Sequence, residues 1–328
     1  MMAETSNEHT KKSLVTKIMM GILILSLITN LFFMIQLNRR GDSSQQKYRL
    51  VNPLIDEKTD KDDQNPKAIL HYTGLKQKII ADIEAFMNTT NVTNSDHKEV
   101  GLFVQDVHTG SWLGLNERDG FVPASLLKIP IMMAILKKAD RDEIQLTDKI
   151  KMIETGPEYL DYLDNGKRGN DFMVWELMKE MILSSDNAAA NALLRQLSPA
   201  EIHAVFIHVG IELQLVNTTL LVTPRTYIRL FKSLYYSTFL SPELSEKALD
   251  LTTDTQTEDL LSAGIPPEIQ VAHKFGQTPS ELHDCGIVYH PVNPYFICVM
   301  TRRIGYDKEK EVIALVSKDV FEFVERER

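Results

Sequence analysis

The pattern of hydrophobic and polar positions changes its period several times along the chain. Apolar residues recur every three or four positions in 75–87, which predicts an amphipathic helix. Residues 100–107 and 111–115 alternate between apolar and polar side chains, which predicts two strands. A His-Thr-Gly sequence stands between them and is typical of a hairpin turn.

A helical stretch then separates these strands from a second set. Residues 136–222 are predicted to be mostly helical, and a proline in the first turn opens another helix after Thr223. Three more strands follow at 271–275, 286–290 and 295–301, and an amphipathic helix at 308–327 closes the chain. This order predicts an α+β fold, in which an antiparallel sheet is flanked by N- and C-terminal helices and an all-helical subdomain is inserted at about residues 125–222.

The N-terminal part of the chain has the pattern of a membrane anchor. Residues 18–37 form an uncharged and largely apolar run of about the length that crosses a bilayer. We predict a transmembrane signal anchor there, preceded by a cytoplasmic segment at 1–17. A cleaved signal peptide is the alternative, but the run is long for one and no small-x-small cleavage site follows it.

Residues 38–73 are polar and charged, which predicts a linker before a single domain at 74–328. Within this linker, residues 48–54 could be extended and docked on the domain, and the sequence leaves this open. Basic residues flank the apolar run on both sides, so their distribution does not decide its orientation. We expect the domain to be extracytoplasmic, in a single-pass protein of the cell membrane, because the chemistry described below requires it.

Composition excludes several kinds of protein. A formal net charge of −9 with no dense basic patch argues against a nucleic-acid partner. The histidines lack metal-ligand spacing, and two cysteines are too few for a disulfide scaffold or a four-cysteine zinc site. We therefore expect neither a metal nor a cofactor. Cys285 and Cys298 lie on neighbouring predicted strands, where a cross-strand disulfide and two buried thiols both remain open.

The first candidate for chemistry is Ser125, which precedes Lys128 by three residues and so shares one face of a helix with it. The apolar run at 129–136 predicts that this helix is buried. A buried lysine with a lowered pKa can accept a hydroxyl proton and activate the serine as a nucleophile. Taken alone, however, this pattern is more often a capping serine followed by a lysine that extends to solvent.

Two later clusters change that assessment. Ser185, Asp186 and Asn187 stand together in the helical block, and a His-Lys-Phe-Gly sequence ends a predicted strand at residues 273–276. Each cluster alone could be ordinary, the first as a helix cap and the second as a strand end. In this order, Ser-x-x-Lys, Ser-Asp-Asn and Lys-x-Gly resemble the motifs of the penicillin-recognising serine hydrolases, and most of all the class A β-lactamases. The resemblance runs from about residue 75 to the C-terminus and implies the β-lactamase and transpeptidase fold.

The resemblance implies three catalytic roles. Ser125 would attack a carbonyl carbon and form an acyl-enzyme, and Lys128 would accept its proton. Ser185 would relay a proton to the leaving nitrogen. Asp186 would orient the loop rather than react.

The resemblance also implies a substrate-binding set. Asn187 would bind an amide of the substrate, and Lys274 would attract its carboxylate. Gly276 and Gln277 would border the substrate, and the backbone N–H groups of Ser125 and Gln277 would form the oxyanion hole. Tyr159 and Tyr162 could line the cleft or could equally be packing residues.

Two departures from the family pattern affect the expected activity. Phe275 stands where the family has a threonine or serine whose hydroxyl holds the substrate carboxylate, and Thr278 is a candidate substitute. The loop that carries the deacylating glutamate is missing, because residues 210–219 run almost directly to Thr223. Glu212 is the only acid near that position, and we interpret it as a surface residue in preference to a catalytic one. Efficient β-lactam hydrolysis is therefore not expected.

The sequence thus predicts a membrane-anchored serine acyl hydrolase that acts through a Ser125 acyl-enzyme. Its substrate would be a β-lactam or a peptidoglycan-like peptide ending in D-Ala-D-Ala, and D-alanyl-D-alanine carboxypeptidase activity is one form of this. Its partners would be that substrate and, through the N-terminal helix, the membrane. The alternative is a catalytically impaired β-lactamase-like binding or sensor protein of the cell envelope.

Overall fold

A five-stranded antiparallel sheet is assembled from both ends of the chain. A computed structural model describes residues 48–52, 72–90, 97–151, 169–216, 219–253, 255 and 259–327. The strands are β1 (Val100–Asp106), β2 (Trp112–Leu115), β7 (Val271–Thr278), β8 (Glu281–Val288) and β9 (Tyr295–Arg302). Their order across the sheet is β2-β1-β9-β8-β7, which leaves β2 and β7 at the edges. The predicted antiparallel sheet built from both ends of the chain is confirmed.

Helices cover both faces of the sheet. The helices are α1 (Thr73–Thr89), α2 (Lys128–Asp140), α3 (Val174–Leu183), α4 (Asn187–Leu194), α5 (Pro199–His208), α6 (Pro224–Tyr235), α7 (Pro242–Thr253) and α8 (Tyr306–Arg326). On one face, α1 and α8 bury a core that includes Ile83 and Val316. On the other face, the inserted helices bury a second core that includes Met132, Phe231 and Phe296. The predicted flanking terminal helices are therefore present.

The prediction of an all-helical insertion is wrong, because the insertion also contains short strands. Strands β3 (Lys149–Lys151) and β4 (Asp171–Met173) pair antiparallel, and β5 (Gln214–Val216) pairs with β6 (Thr219–Leu221). Each strand has only three residues, which is too short for a period of two to stand out in the sequence. The β5–β6 pair lies between α5 and α6 in the chain.

Residues 48–52 dock on the domain, which settles a point that the sequence left open. Leu50 and Val51 are almost completely buried. The Glu246 carboxylate on α7 accepts hydrogen bonds from the backbone N–H groups of Arg49, Leu50 and Val51 at 2.9, 2.7 and 3.1 Å. Tyr289 donates its hydroxyl to the Leu50 carbonyl at 2.9 Å. Residues 48–52, within the predicted linker at 38–73, are therefore packed against the domain.

Cys285 and Cys298 face each other directly across β8 and β9 and form a disulfide. The structure thus selects one of the two states that the sequence left open. In the part of the chain that the structure describes, no helix is both long and apolar enough to cross a membrane. The predicted anchor at 18–37 lies outside those residues, as do Tyr159 and Tyr162.

Candidate active site

Ser125 lies in a short 3₁₀ helix, Ala124–Leu127, which runs directly into α2. Ala124, the residue before it, has a φ of +48°, a left-handed conformation that costs a residue with a Cβ about 1 kcal/mol or more. Tyr227 on α6 supports the turn by donating its buried hydroxyl to the Leu126 carbonyl at 2.8 Å. Tertiary contacts therefore hold the serine in a strained turn at the start of a buried helix.

Lys128 is buried, as predicted, and polar groups surround its ammonium. Its Nζ lies 3.2 Å from the Ser125 Oγ and donates to the Asn187 Oδ1 at 2.6 Å. It also contacts the Ser185 Oγ at 3.1 Å and donates to the Ser185 carbonyl oxygen. These oxygens offset the cost of removing a charged amine from water. The distance to Ser125 is within reach of a proton transfer.

Ser185 connects the two lysines of the site. It lies between α3 and α4 with a φ of +55°, a second left-handed residue at the same site. Its Oγ is 3.1 Å from the Lys128 Nζ and 3.1 Å from the Lys274 Nζ. Asp186 caps α4 by accepting a hydrogen bond from the Ala189 N–H at 2.7 Å. This cap fixes the loop, in agreement with the orienting role expected for Asp186.

Lys274 comes from β7, at the edge of the sheet, and none of its surface is exposed to solvent. Its Nζ also lies 4.1 Å from the centroid of the Phe275 ring. Burial, with repulsion from Lys128 as a second cause, lowers the pKa of Lys274 to about 7, against the opposing effect of Asp284. The charge of this lysine is therefore sensitive to pH near neutrality.

Gly276 lets β7 approach the turn that carries Ser125. A Cβ at this position would lie 2.6 Å from the Pro123 carbonyl oxygen and 2.9 Å from the Leu126 Cγ, so no larger residue fits without movement. Gln277 follows on the same strand with an exposed side chain, and no hydrogen bond among the described residues joins it to Ser125. The fold thus brings the predicted residues of all three motifs to one place.

Comparisons with known proteins agree with this geometry. Residues 82–324 match the sequence model of the Beta-lactamase enzyme family. The chain belongs to this family. No curated protein sequence matched in a search.

Solved structures show the same fold. The structure of PBP-A matches with a TM-score of 0.67 and 26% identity over 80% of this chain and 98% of that one. The L158E mutant of PBP-A, solved as an acyl-enzyme complex with penicillin-G, matches with a TM-score of 0.67 and 26% identity over 77% and 97%. A β-lactamase from Sphaerobacter thermophilus DSM 20745 matches with a TM-score of 0.68 and 20% identity over 77% and 97%.

Two groups that support the nucleophile turn of this β-lactamase family member could not be predicted from sequence motifs. On β8, Glu281 accepts a hydrogen bond from the Val122 N–H at 2.8 Å. His283, two residues on, donates its Nε2–H to the Val122 carbonyl at 2.9 Å. Neither belongs to a motif, and the strand predicted here began only at residue 286. The role of Tyr227 could not be predicted either, because its position in the helical pattern of α6 indicates only a core residue.

Among the described residues, neither of the two residues considered as substitutes forms a hydrogen bond with Ser125, Lys128 or Ser185. The Thr278 hydroxyl accepts a hydrogen bond from the Ser280 N–H at 3.3 Å, within the turn between β7 and β8. Glu212 is exposed, and within the described ranges it forms no hydrogen bond with Ser125, Lys128 or Ser185. A cluster of three or more side chains suited to a metal ion is likewise absent from the described part of the chain.

Proposed function

We propose that this chain is a serine acyl hydrolase in which Ser125 forms a covalent acyl-enzyme. One observation carries the proposal, namely a continuous path of polar contacts through the site. The path runs from the Ser125 Oγ to the Lys128 Nζ at 3.2 Å, to the Ser185 Oγ at 3.1 Å, and to the Lys274 Nζ at 3.1 Å. The base thus lies within proton-transfer distance of both the nucleophile and the relay hydroxyl.

Acylation proceeds along this path. The Ser125 Oγ bonds to the carbonyl carbon of the substrate while Lys128 takes the hydroxyl proton. The tetrahedral intermediate then expels the amide nitrogen, which receives a proton through the Ser185 hydroxyl. The backbone N–H groups of Ser125 and Gln277 stabilise the oxyanion. The close approach of Gly276 to Pro123 supports this part of the proposal, because it places the β7 edge beside the nucleophile turn.

Deacylation is the slow step in this proposal. Water needs its own general base to attack the ester, and losing a positioned base typically costs a factor of ~10² to 10⁴. Glu212 is exposed, and the short β5–β6 pair connects α5 to α6. We therefore expect the acyl-enzyme to accumulate.

The proposed substrate is a β-lactam or a peptidoglycan-like peptide with a D-Ala-D-Ala end. The L158E mutant of PBP-A, 26% identical to this chain, carries penicillin-G as an acyl-enzyme, which supports a β-lactam as a reactive probe here. Peptidoglycan lies outside the cytoplasm, so we also propose that residues 18–37 anchor the protein with the domain outside. Reporter fusions after Arg40 and at the C-terminus test this topology, and activity of a cytoplasm-only reporter at either point contradicts it.

A second candidate is a binding or sensor protein of the cell envelope that keeps the acylatable serine. Phe275 in the third motif and the exposed position of Glu212 favour it. The two candidates differ in turnover. A sensor holds its acyl group until the protein is replaced, whereas a hydrolase releases it measurably.

Labelling with a fluorescent penicillin tests the proposed function. Intact-mass measurement should show one adduct per chain in the parent and none in Ser125→Ala. Ser184→Ala is a matched control, because this serine adjoins Ser185 but its hydroxyl contacts Glu180 at 3.4 Å. Equal labelling of the parent and of Ser125→Ala would refute the proposal.

A further inference from the structure

Phe275 already occupies the space around the Lys274 ammonium. Its ring is half-buried on β7, and the ring centroid lies 4.1 Å from the Lys274 Nζ. A cation at this distance from an aromatic ring is attracted to the ring face. Lys274 has no exposed surface, and its Nζ also donates to the Ser185 Oγ. The ring and Ser185 therefore already contact the ammonium that an incoming anion would need.

Phe275 itself brings no donor for a carboxylate to this edge of the site. A bound carboxylate needs N–H or O–H groups and a positive charge to offset its lost hydration. The phenyl ring offers neither. Because the pKa of Lys274 is lowered to about 7, part of its charge is lost at neutral pH.

Among the described residues, no ion-paired arginine has its acidic partner at this site. Those with acidic partners among the described residues pair elsewhere: Arg49 with Asp250, Arg118 and Arg225 with Glu117, Arg141 with Glu143, Arg302 with Glu99 and Asp119, and Arg303 with Glu99. Lys128, the other cation of the site, is committed to Asn187 and Ser185.

We infer that Phe275 removes the preference of the site for a leaving group with a free carboxylate, so that an ester acylates Ser125 at least as fast as the corresponding acid. The inference rests on the proposed acylation of Ser125 and names the residue that sets its substrate preference. Phe275 acts on specificity and takes no part in bond formation. The acyl transfer itself is the one described above.

Penicillin G and its methyl ester form a matched pair of probes, because they differ only in the carboxylate. Second-order rates of Ser125 acylation, followed by intact mass, give an acid-to-ester ratio for each protein. We expect a ratio of about one or less in the parent. Phe275→Thr should raise it at least about tenfold, the effect of one charge-assisted hydrogen bond. A ratio measured within one protein cancels any general loss of reactivity.

Phe275→Leu is the control, since it removes the ring without adding a donor, and its ratio should stay within about threefold of the parent. Phe275→Ser adds a donor in a second background should the threonine variant fail to fold. A parent that prefers the acid tenfold or more overturns the inference alone. So does an unchanged ratio in both hydroxyl variants, or a rise with leucine as large as with threonine. Failure of both probes to label Ser125 refutes the proposed function and the inference with it.

Discussion

Gly276→Ala tests the close approach of β7 to the nucleophile turn. The added methyl group would lie 2.6 Å from the Pro123 carbonyl oxygen and 2.9 Å from the Leu126 Cγ. Ordinary contact requires the strand and the turn to separate by about 0.8 Å. Overpacking of this kind typically costs about 1–3 kcal/mol of stability. A displacement of this size at a reacting centre can reduce the rate by about 10².

The assay combines thermal unfolding with the rate of acylation by penicillin G methyl ester. We expect a lower melting temperature and acylation that is slower by one to two orders of magnitude, roughly as the displacement predicts. Gly74→Ala is the control, because a Cβ there has nothing within 4 Å and alanine favours the helix. A Gly276→Ala variant that melts and acylates like the parent would refute the packing argument.

Three further predictions address the base, the support of the turn and the second lysine. Lys128→Arg keeps a permanent cation and should lose acylation by a factor of ~10² to 10⁴, and near-parental acylation by it would assign the base elsewhere. Tyr227→Phe removes the hydroxyl that donates to the buried Leu126 carbonyl at 2.8 Å, and it should lower the free energy of unfolding by about 1–3 kcal/mol. Tyr306→Phe, at an exposed position, is the control and should change the free energy of unfolding little. The folded-state pKa of Lys274 is lowered to about 7, which is below its unfolded value. Between about pH 7 and 10 the unfolded state therefore binds more protons than the folded state. The free energy of unfolding should rise with pH over this range. Lys274→Met should lose this rise, and a variant with the same pH dependence as the parent would contradict the low pKa.

Local patterns in the sequence were enough to predict the sheet and the clustered motifs. Alternation at residues 100–107 and helical spacing at 75–87 are properties of neighbouring residues, so they can be read without the fold. Ser125, Lys128 and Ser185 were predicted from the order and spacing of motifs, and the structure places the Lys128 ammonium 3.2 Å from the Ser125 hydroxyl and 3.1 Å from the Ser185 hydroxyl.

Features that depend on distant contacts could not be predicted. Tyr227 reaches Leu126 across about a hundred residues of chain, and His283 reaches Val122 across an even longer separation. The left-handed backbone at Ala124 has no signal in its own residue type, because alanine normally avoids that conformation. The buried pair Leu50 and Val51 is too short an apolar run to distinguish from linker sequence.

The central claim is that Ser125 acylates readily and releases its acyl group slowly. Time-resolved intact mass, with a chromogenic cephalosporin as the parallel optical probe, tests it most directly. The account predicts a stoichiometric burst, one adduct on Ser125, and turnover that stays slow for as long as the adduct persists. Sustained rapid hydrolysis with no accumulated adduct would contradict it, and Glu212→Gln would then be the first variant to examine.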